Sequence, residues 1–143
     1  MVKLAIIAGA VLALSTASAA FADAGGCHQL SGTYVQEFVP CDVPALACVD
    51  STTTGDLAFS HTVITGFDPA TQILTGTVTL SRDNGSIITA TIETVRRSGV
   101  AVETITGGTR QFAHATGTIV AAGGFVGTYS GQYCLGNGPA EDG

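Results

Sequence analysis

The sequence predicts an all-β protein: one antiparallel sheet of seven or eight short strands, with eight favoured, closed into a barrel. Almost no segment from Gly25 onward repeats its apolar residues with the 3.6-residue period of a helix. Short runs of alternating apolar and polar residues, rich in threonine, are separated instead by glycine, proline and Asn or Asp turns. A sheet with no covering helix best avoids exposed edges by closing on itself.

Residues 1–22 are predicted to be an export signal. Lys3 supplies a positive charge, the apolar run from Leu4 to Leu14 is too short to span a bilayer, and Ala20-Phe21-Ala22 is a cleavage site. The rest of the chain, 23–143, is expected to form a single barrel domain. The protein is therefore expected to be secreted or periplasmic.

The charge of the chain excludes some partners. Without the signal, four arginines stand against eleven acidic residues, for a net charge of −7 with histidine neutral. Such a surface repels phosphate backbones and anionic lipid, so neither nucleic-acid binding nor membrane insertion after signal cleavage is expected. No cofactor is predicted, and an oligomer stays possible.

Four cysteines behind an export signal predict two disulfides. Three pairings are possible, and the favoured one joins Cys41 to Cys48 across a short loop and Cys27 to Cys134 across the whole domain. A metal site is not expected, because the C-x6-C spacing with no nearby histidine pair lacks the C-x2-C step typical of zinc ligands.

The first strand is predicted from Ser31 to Val39, where Pro40 ends it. Its facing is ambiguous, so that either Gln36 or Glu37 points inward. Residues 40–56 are rich in turn formers and are predicted to form one long loop held by a disulfide. Such a loop either covers the sheet or acts as a lid at the mouth of the barrel.

The next strand, Leu57 to Gly66, raises the question of a functional histidine. Its more apolar row contains Leu57, Phe59, His61 and Val63, which predicts that Phe59 and His61 face inward. In a cavity, His61 could contact a ligand or act as a general base. The alternative is a neutral histidine bonded within the core or at its wet rim.

The clearest hairpin joins the strands Ile73 to Arg82 and Ser86 to Arg97. Asn84-Gly85 predicts a type I′ turn between them. At the far end, Arg96 and Arg97 are expected to point to opposite faces, so that at most one can serve a given site. The inward rows are predicted to be Leu74, Val78 and Leu80, then Ile88, Ala90 and Ile92.

The remaining strands are Val100 to Thr106, Gly117 to Ala122 and Phe125 to Leu135, followed by a disordered polar tail at 136–143. In the last strand the aromatic residues recur every four positions and therefore share a face. Such a stripe either fills the core or lines a ligand cavity. The candidate ligand-binding residues are thus Tyr34, Phe59, His61, Phe125, Tyr129 and Tyr133.

The segment ITGGTRQFAHATG, from Ile105 to Gly117, carries a family resemblance. It resembles the GGTG.F..A.G segment of the allene oxide cyclase and dirigent barrels and their secreted bacterial relatives, and Gly127 to Gly131 fits the closing strand of such barrels. The resemblance implies a calycin-like barrel. Arg110 departs from it, since the family usually has glycine there; a positive φ at this position would strain an arginine. The structural turn consists of Gly107, Gly108, Thr109, Phe112 and Gly117.

No catalytic motif such as G-x-S-x-G, H-E-x-x-H or a phosphate loop occurs in the chain. The predicted function is therefore a secreted, non-enzymatic binding or structural module for a small apolar ligand. The alternative, implied by the resemblance, is an isomerase or cyclase acting on an unsaturated small molecule in the barrel cavity. Glu37 and His61 are then the weak catalytic candidates.

Overall fold

The structure, a computed structural model, describes residues 26–136. They form a closed barrel of eight antiparallel strands, in which each strand pairs with the next and the eighth with the first. This confirms the predicted fold class. The strands are β1 Cys27–Val39, β2 Ala47–Thr53, β3 Phe59–Asp68, β4 Ile73–Ser81, β5 Ile87–Val95, β6 Val100–Gly108, β7 Thr116–Ala122 and β8 Val126–Cys134.

Two predictions concern parts of the chain outside this range. The export signal at 1–22 and the tail at 136–143, apart from Gly136, lie outside the described residues. Within residues 26–136, no helix has the length and apolar character needed to cross a membrane.

The hairpin of β4 and β5 follows its sequence pattern, but its turn has a different type. The inward rows are as predicted, with Val78, Leu80 and Ile88 each 2% exposed or less. Gly85 has a positive φ of 85°, whereas Asn84 is not among the residues with positive φ. A type I′ turn needs positive φ at both positions, so that assignment is wrong. The side chain of Asn84 instead accepts a hydrogen bond from the Ser86 N–H at 2.9 Å.

The predicted single loop over residues 40–56 is also wrong, because β2 lies within it. Ala47–Thr53 pairs with β1 on one side and with β3 on the other. Asp50 and Ser51 have poor strand propensity, yet a strand hydrogen-bonded on both sides overrides such preferences. Cys48 is 1% exposed and helps to fix the segment through its disulfide.

Both favoured disulfides are present. Cys27 and Cys134 are directly opposite each other where β1 pairs with β8, so their bond ties the first strand to the last. Cys41–Cys48 closes the short loop that leads into β2. Chain entropy alone predicts that these bonds stabilise the fold by roughly 5 and 2.5 kcal/mol, respectively.

The two ends of the barrel differ. At the closed end, defined by Leu30, Ile88 and Phe112, the interior is packed, and these side chains are 2%, 0% and 0% exposed. A short 3-10 helix, Arg110–Phe112, covers this end. The mouth is defined by Phe38, Leu46, Arg96, Arg97 and Phe125, and there the interior opens into a cavity.

Candidate ligand-binding site

A cavity of about 740 Å³ occupies the mouth half of the barrel. Volumes of this order hold small organic molecules. Its apolar walls include Leu57, Ile64, Leu80, Ile92, Ala101, Ile119 and Ala121. The polar residues on the walls include Gln36, Ser51, Ser60, Thr62, Thr94 and Glu103.

The floor of the cavity is fixed by Tyr129. Its hydroxyl donates a hydrogen bond to the Thr54 carbonyl oxygen at 2.7 Å and accepts one from the Leu57 N–H at 2.9 Å. Gly32 makes room for this ring, since a Cβ there would lie 2.6 Å from the Tyr129 hydroxyl. These two bonds tie the connection between β2 and β3 to β8, and Leu57 and Tyr129 both line the cavity.

Below this floor, aromatic rings and an arginine fill the closed end. The Arg82 guanidinium lies 5.7 Å from the ring centres of both Phe112 and Tyr133. Its Nη1 donates a hydrogen bond to the Tyr133 hydroxyl at 3.0 Å. Gly108 permits this packing, because a Cβ there would lie 2.7 Å from the Phe112 Cβ. Arg110 has a φ of 52°, so this arginine does occupy a position that favours glycine.

Glu103 is the unusual residue of the cavity wall. It lies on β6 opposite Ile92 and Ile119 of the neighbouring strands, and it is 7% exposed. Within residues 26–136 no side chain or backbone group forms a hydrogen bond or ion pair with its carboxyl. Burial raises the pKa of Glu103 from 4.5 to about 7. The Glu103 side chain is thus largely buried on the cavity wall with no partner for its carboxyl among the described residues, which is costly for the charged form.

Two residues of β1 connect Glu103 to the mouth. Burial, and then the nearby charge of Glu103, raises the pKa of Tyr34. The sequence did not decide whether Gln36 or Glu37 points inward. In the structure Gln36 lines the cavity, while Glu37 is exposed on the outer face. The Gln36 side chain donates a hydrogen bond to the Gly124 carbonyl oxygen at 2.9 Å, and its backbone N–H donates one to Phe125 at 2.8 Å. Gln36 thereby holds the β7–β8 turn at the mouth.

The rim of the mouth combines exposed apolar side chains with two arginines. Phe38 and Phe125 meet edge to face, with ring centres 5.4 Å apart. Arg96 and Arg97 both line the cavity, contrary to the expectation that at most one could serve a site. They follow the end of β5, and Arg97 has a φ of 66°, so strand alternation does not govern them. Neither forms an ion pair within the described part of the chain.

Comparison with known proteins identifies the architecture. No family model and no curated protein sequence matches the chain. A solved structure of a pterocarpan synthase dirigent protein aligns with 78% of this chain and 89% of its own, with a TM-score of 0.58. The chain has a dirigent-like barrel fold. At 16% identity this likeness shows the fold alone, and it confirms the resemblance seen in the segment from Ile105 to Gly117.

The dirigent-like barrel brings together only some of the predicted ligand-binding residues. Tyr34, Phe125 and Tyr129 line the cavity. Tyr133 belongs to the predicted aromatic stripe but lies in the closed end beside Phe112, where it packs in the core and does not line the cavity. The expectation that Phe59 and His61 face inward is wrong, because the inward row of β3 consists of Ser60, Thr62 and Ile64.

The two weak catalytic candidates lie on the outer wall of the dirigent-like barrel. Glu37 pairs with Asp50, and Asp50 pairs with His61, so the three form one cross-strand row. The His61 Nδ1 and the Asp50 Oδ1 are hydrogen-bonded. A catalytic role for Glu37 or His61 stays a prediction, and the cavity does not include them. No group of three or more His, Cys, Asp or Glu residues within 26–136 is placed to hold a metal ion.

Sequence reasoning missed Glu103. In β6 the inward row of Ala101, Glu103 and Ile105 is no more apolar than the outward row of Val100, Val102 and Thr104, so alternation alone does not choose between them. The register of the β5–β6 hairpin could have shown which row of β6 faces inward. Closing the turn at Ser98-Gly99 pairs Glu103 with Ile92, whose inward facing was already predicted.

Proposed function

We propose that this chain is an exported binding protein whose barrel holds one small, largely apolar molecule. The cavity of about 740 Å³ carries the proposal, together with the unpartnered Glu103 carboxyl on its wall. The two disulfides are consistent with an oxidising compartment outside the cytoplasm. Export itself rests on the signal predicted at residues 1–22.

The cavity is larger than stability alone would favour. Protein interiors are close-packed, and voids larger than a water molecule are few. Filling one with an apolar molecule gains about 25 cal/mol for each Å² of apolar surface removed from water. The many isoleucine, leucine and alanine side chains on the walls therefore favour an apolar ligand, and Glu103 favours one that also bears a polar group.

Binding of this kind requires no chemical step. A single buried acid can anchor a ligand through one hydrogen bond and fix its orientation. The isomerase or cyclase alternative stays a prediction drawn from the resemblance. The synthase activity in the name of the pterocarpan synthase dirigent protein belongs to that protein and is not assigned to this chain.

A cavity-filling substitution tests the proposal. Ala121 lines the cavity, while its neighbour Ala122 is on the outer face of β7. Titration of an environment-sensitive apolar dye should show saturable binding to the native protein and to Ala122→Phe, with a large loss in Ala121→Phe. Circular dichroism of each variant checks that the barrel is intact. Equal binding by a folded Ala121→Phe would contradict the proposal, as would the absence of saturable binding by the native protein.

A further inference from the structure

The charges around the cavity are unevenly distributed. Of the described residues that line it, the titratable ones are Tyr34, Arg96, Arg97, Glu103 and Tyr129. The two arginines are exposed at the mouth, whereas Glu103 is buried in the wall. The cavity thus contains one carboxyl group with no cationic side chain against it.

We propose that the ligand is an apolar amine, whose protonated nitrogen pairs with the Glu103 carboxylate. This inference rests on the binding function proposed above and narrows it to a ligand class. An ammonium group brings both the missing opposite charge and the N–H donors that the carboxylate lacks. A neutral hydroxyl group donates a hydrogen bond to the carboxylate but brings no charge, and a carbonyl oxygen can only accept a hydrogen bond from the protonated acid.

Burial determines which charge in the cavity matters most. A charge interaction at a largely buried site is stronger than the same interaction at the surface, where water and salt screen it fully. The exposed Arg96 and Arg97 would favour an anionic ligand, but they act through solvent. The chain as a whole has a net charge of −6, which attracts cations towards the barrel.

The titration of Glu103 gives the proposal a second signature. Because burial raises the pKa of Glu103 to about 7, part of the carboxyl is protonated at neutral pH. An amine whose own pKa is well above 8 must displace that proton, so its affinity should rise between pH 6 and pH 8. A neutral ligand that accepts a hydrogen bond from the protonated acid should instead lose affinity over the same range.

Three probes of one shape test the ligand class: 2-naphthylmethylamine, 2-naphthalenemethanol and 2-naphthoate. Isothermal titration at pH 8 should show the amine binding about tenfold or more tighter than the alcohol, and the carboxylate weakest. Glu103→Gln should abolish the preference for the amine. Glu93→Gln is the matched control, since Glu93 is exposed on the outer face of β5 and its loss should leave the preference unchanged.

The outcomes separate this inference from the binding function. If the alcohol binds but the amine does not bind more tightly, the amine inference fails and the binding function stands. If none of the probes binds, both fail. Should Glu103→Gln not fold, the native protein alone decides: amine binding at pH 6.5 should release protons, detected as heat that varies with the ionisation enthalpy of the buffer. Amine binding without proton release would overturn the inference.

Discussion

The closed end and the mouth of the barrel are built from the same eight strands but obey different constraints. At the closed end, Phe112 is 0% exposed and is wedged against Tyr133 and Arg82. At the mouth, Phe125 is 52% exposed and lines an open cavity. One end is packed, and the other contains an open cavity.

This difference predicts where the stability of the protein resides. The closed end contains the disulfide between the first and last strands, which spans 107 residues of sequence. The mouth contains the disulfide that spans 7 residues. Interactions at the closed end should therefore cost more when removed, while those at the mouth should affect binding more than folding.

The largest effect is expected from the disulfides. Replacing Cys27 and Cys134 together by alanine should lower the free energy of unfolding by about 5 kcal/mol, against about 2.5 kcal/mol for Cys41 and Cys48, because the longer loop restricts the unfolded chain more. Urea denaturation of the two double variants measures both values. An equal or larger loss from the Cys41–Cys48 bond would contradict the comparison.

Aromatic truncation compares the two ends directly. Phe112→Ala should cost about 3–5 kcal/mol, because it leaves a cavity in packed surroundings. Phe125→Ala should cost less than about 1 kcal/mol, since its ring is half exposed. Both are read from urea denaturation. Equal losses would mean that the closed end is not the packed half.

The stability of the mouth half should depend on pH through Glu103. Its pKa is raised from 4.5 to about 7, so between these values the folded protein keeps a proton that the unfolded chain has lost. The contribution of Glu103 to the free energy of unfolding should therefore be highest below pH 4.5. It should fall by about 3 kcal/mol as the pH rises to 7.

Glu103→Gln isolates this effect. Relative to the native protein, the variant should gain about 3 kcal/mol of stability between pH 4 and pH 8, because it has no carboxyl to ionise in the cavity. Glu37→Gln, on the exposed outer face of β1, is the control and should show no comparable gain. If Glu103→Gln and the native protein kept parallel pH profiles, Glu103 would have to be solvated or paired in solution.

The smallest effect concerns the backbone of the closed end. Arg110 has a φ of 52°, a conformation that costs a residue with a Cβ about 1 kcal/mol. Arg110→Gly should relieve this strain and raise the free energy of unfolding by up to about 1 kcal/mol, less the greater flexibility that glycine gives the unfolded chain. A clear loss of stability would show that the arginine side chain makes a compensating contact.

The sequence predicted best where the interior is packed. In β4 and β5 the rows predicted to face inward, Leu74, Val78 and Leu80 and then Ile88, Ala90 and Ile92, do face inward, because each lies opposite a row dominated by threonine and other polar residues. The favoured pairing of Cys27 with Cys134, which ties the two ends of the domain together, is present, and the segment from Ile105 to Gly117 carried the resemblance to the barrel family.

The mouth half could not be predicted in the same way, because a cavity does not require apolar walls. Ser60 and Thr62 face inward there, and Val102 and Val120 face outward at 42% and 39% exposure. Alternation assigns the more apolar row to the core, and in β3 that rule placed Phe59 and His61 on the wrong side. Glu103 was missed because alternation did not choose between the two rows of β6, and a buried acid departs from the apolar pattern on which the prediction depends.

The most direct test of the account is to locate a bound apolar molecule by nuclear Overhauser effects to isoleucine methyl groups. Ile92 and Ile119 line the cavity, whereas Ile88 is packed in the closed end. With ¹³C-labelled isoleucine methyls and saturating 2-naphthalenemethanol, contacts are expected from the probe to Ile92 and Ile119 and none to Ile88. Contacts confined to residues of the outer wall, or no saturable contacts, would contradict a ligand cavity at the mouth.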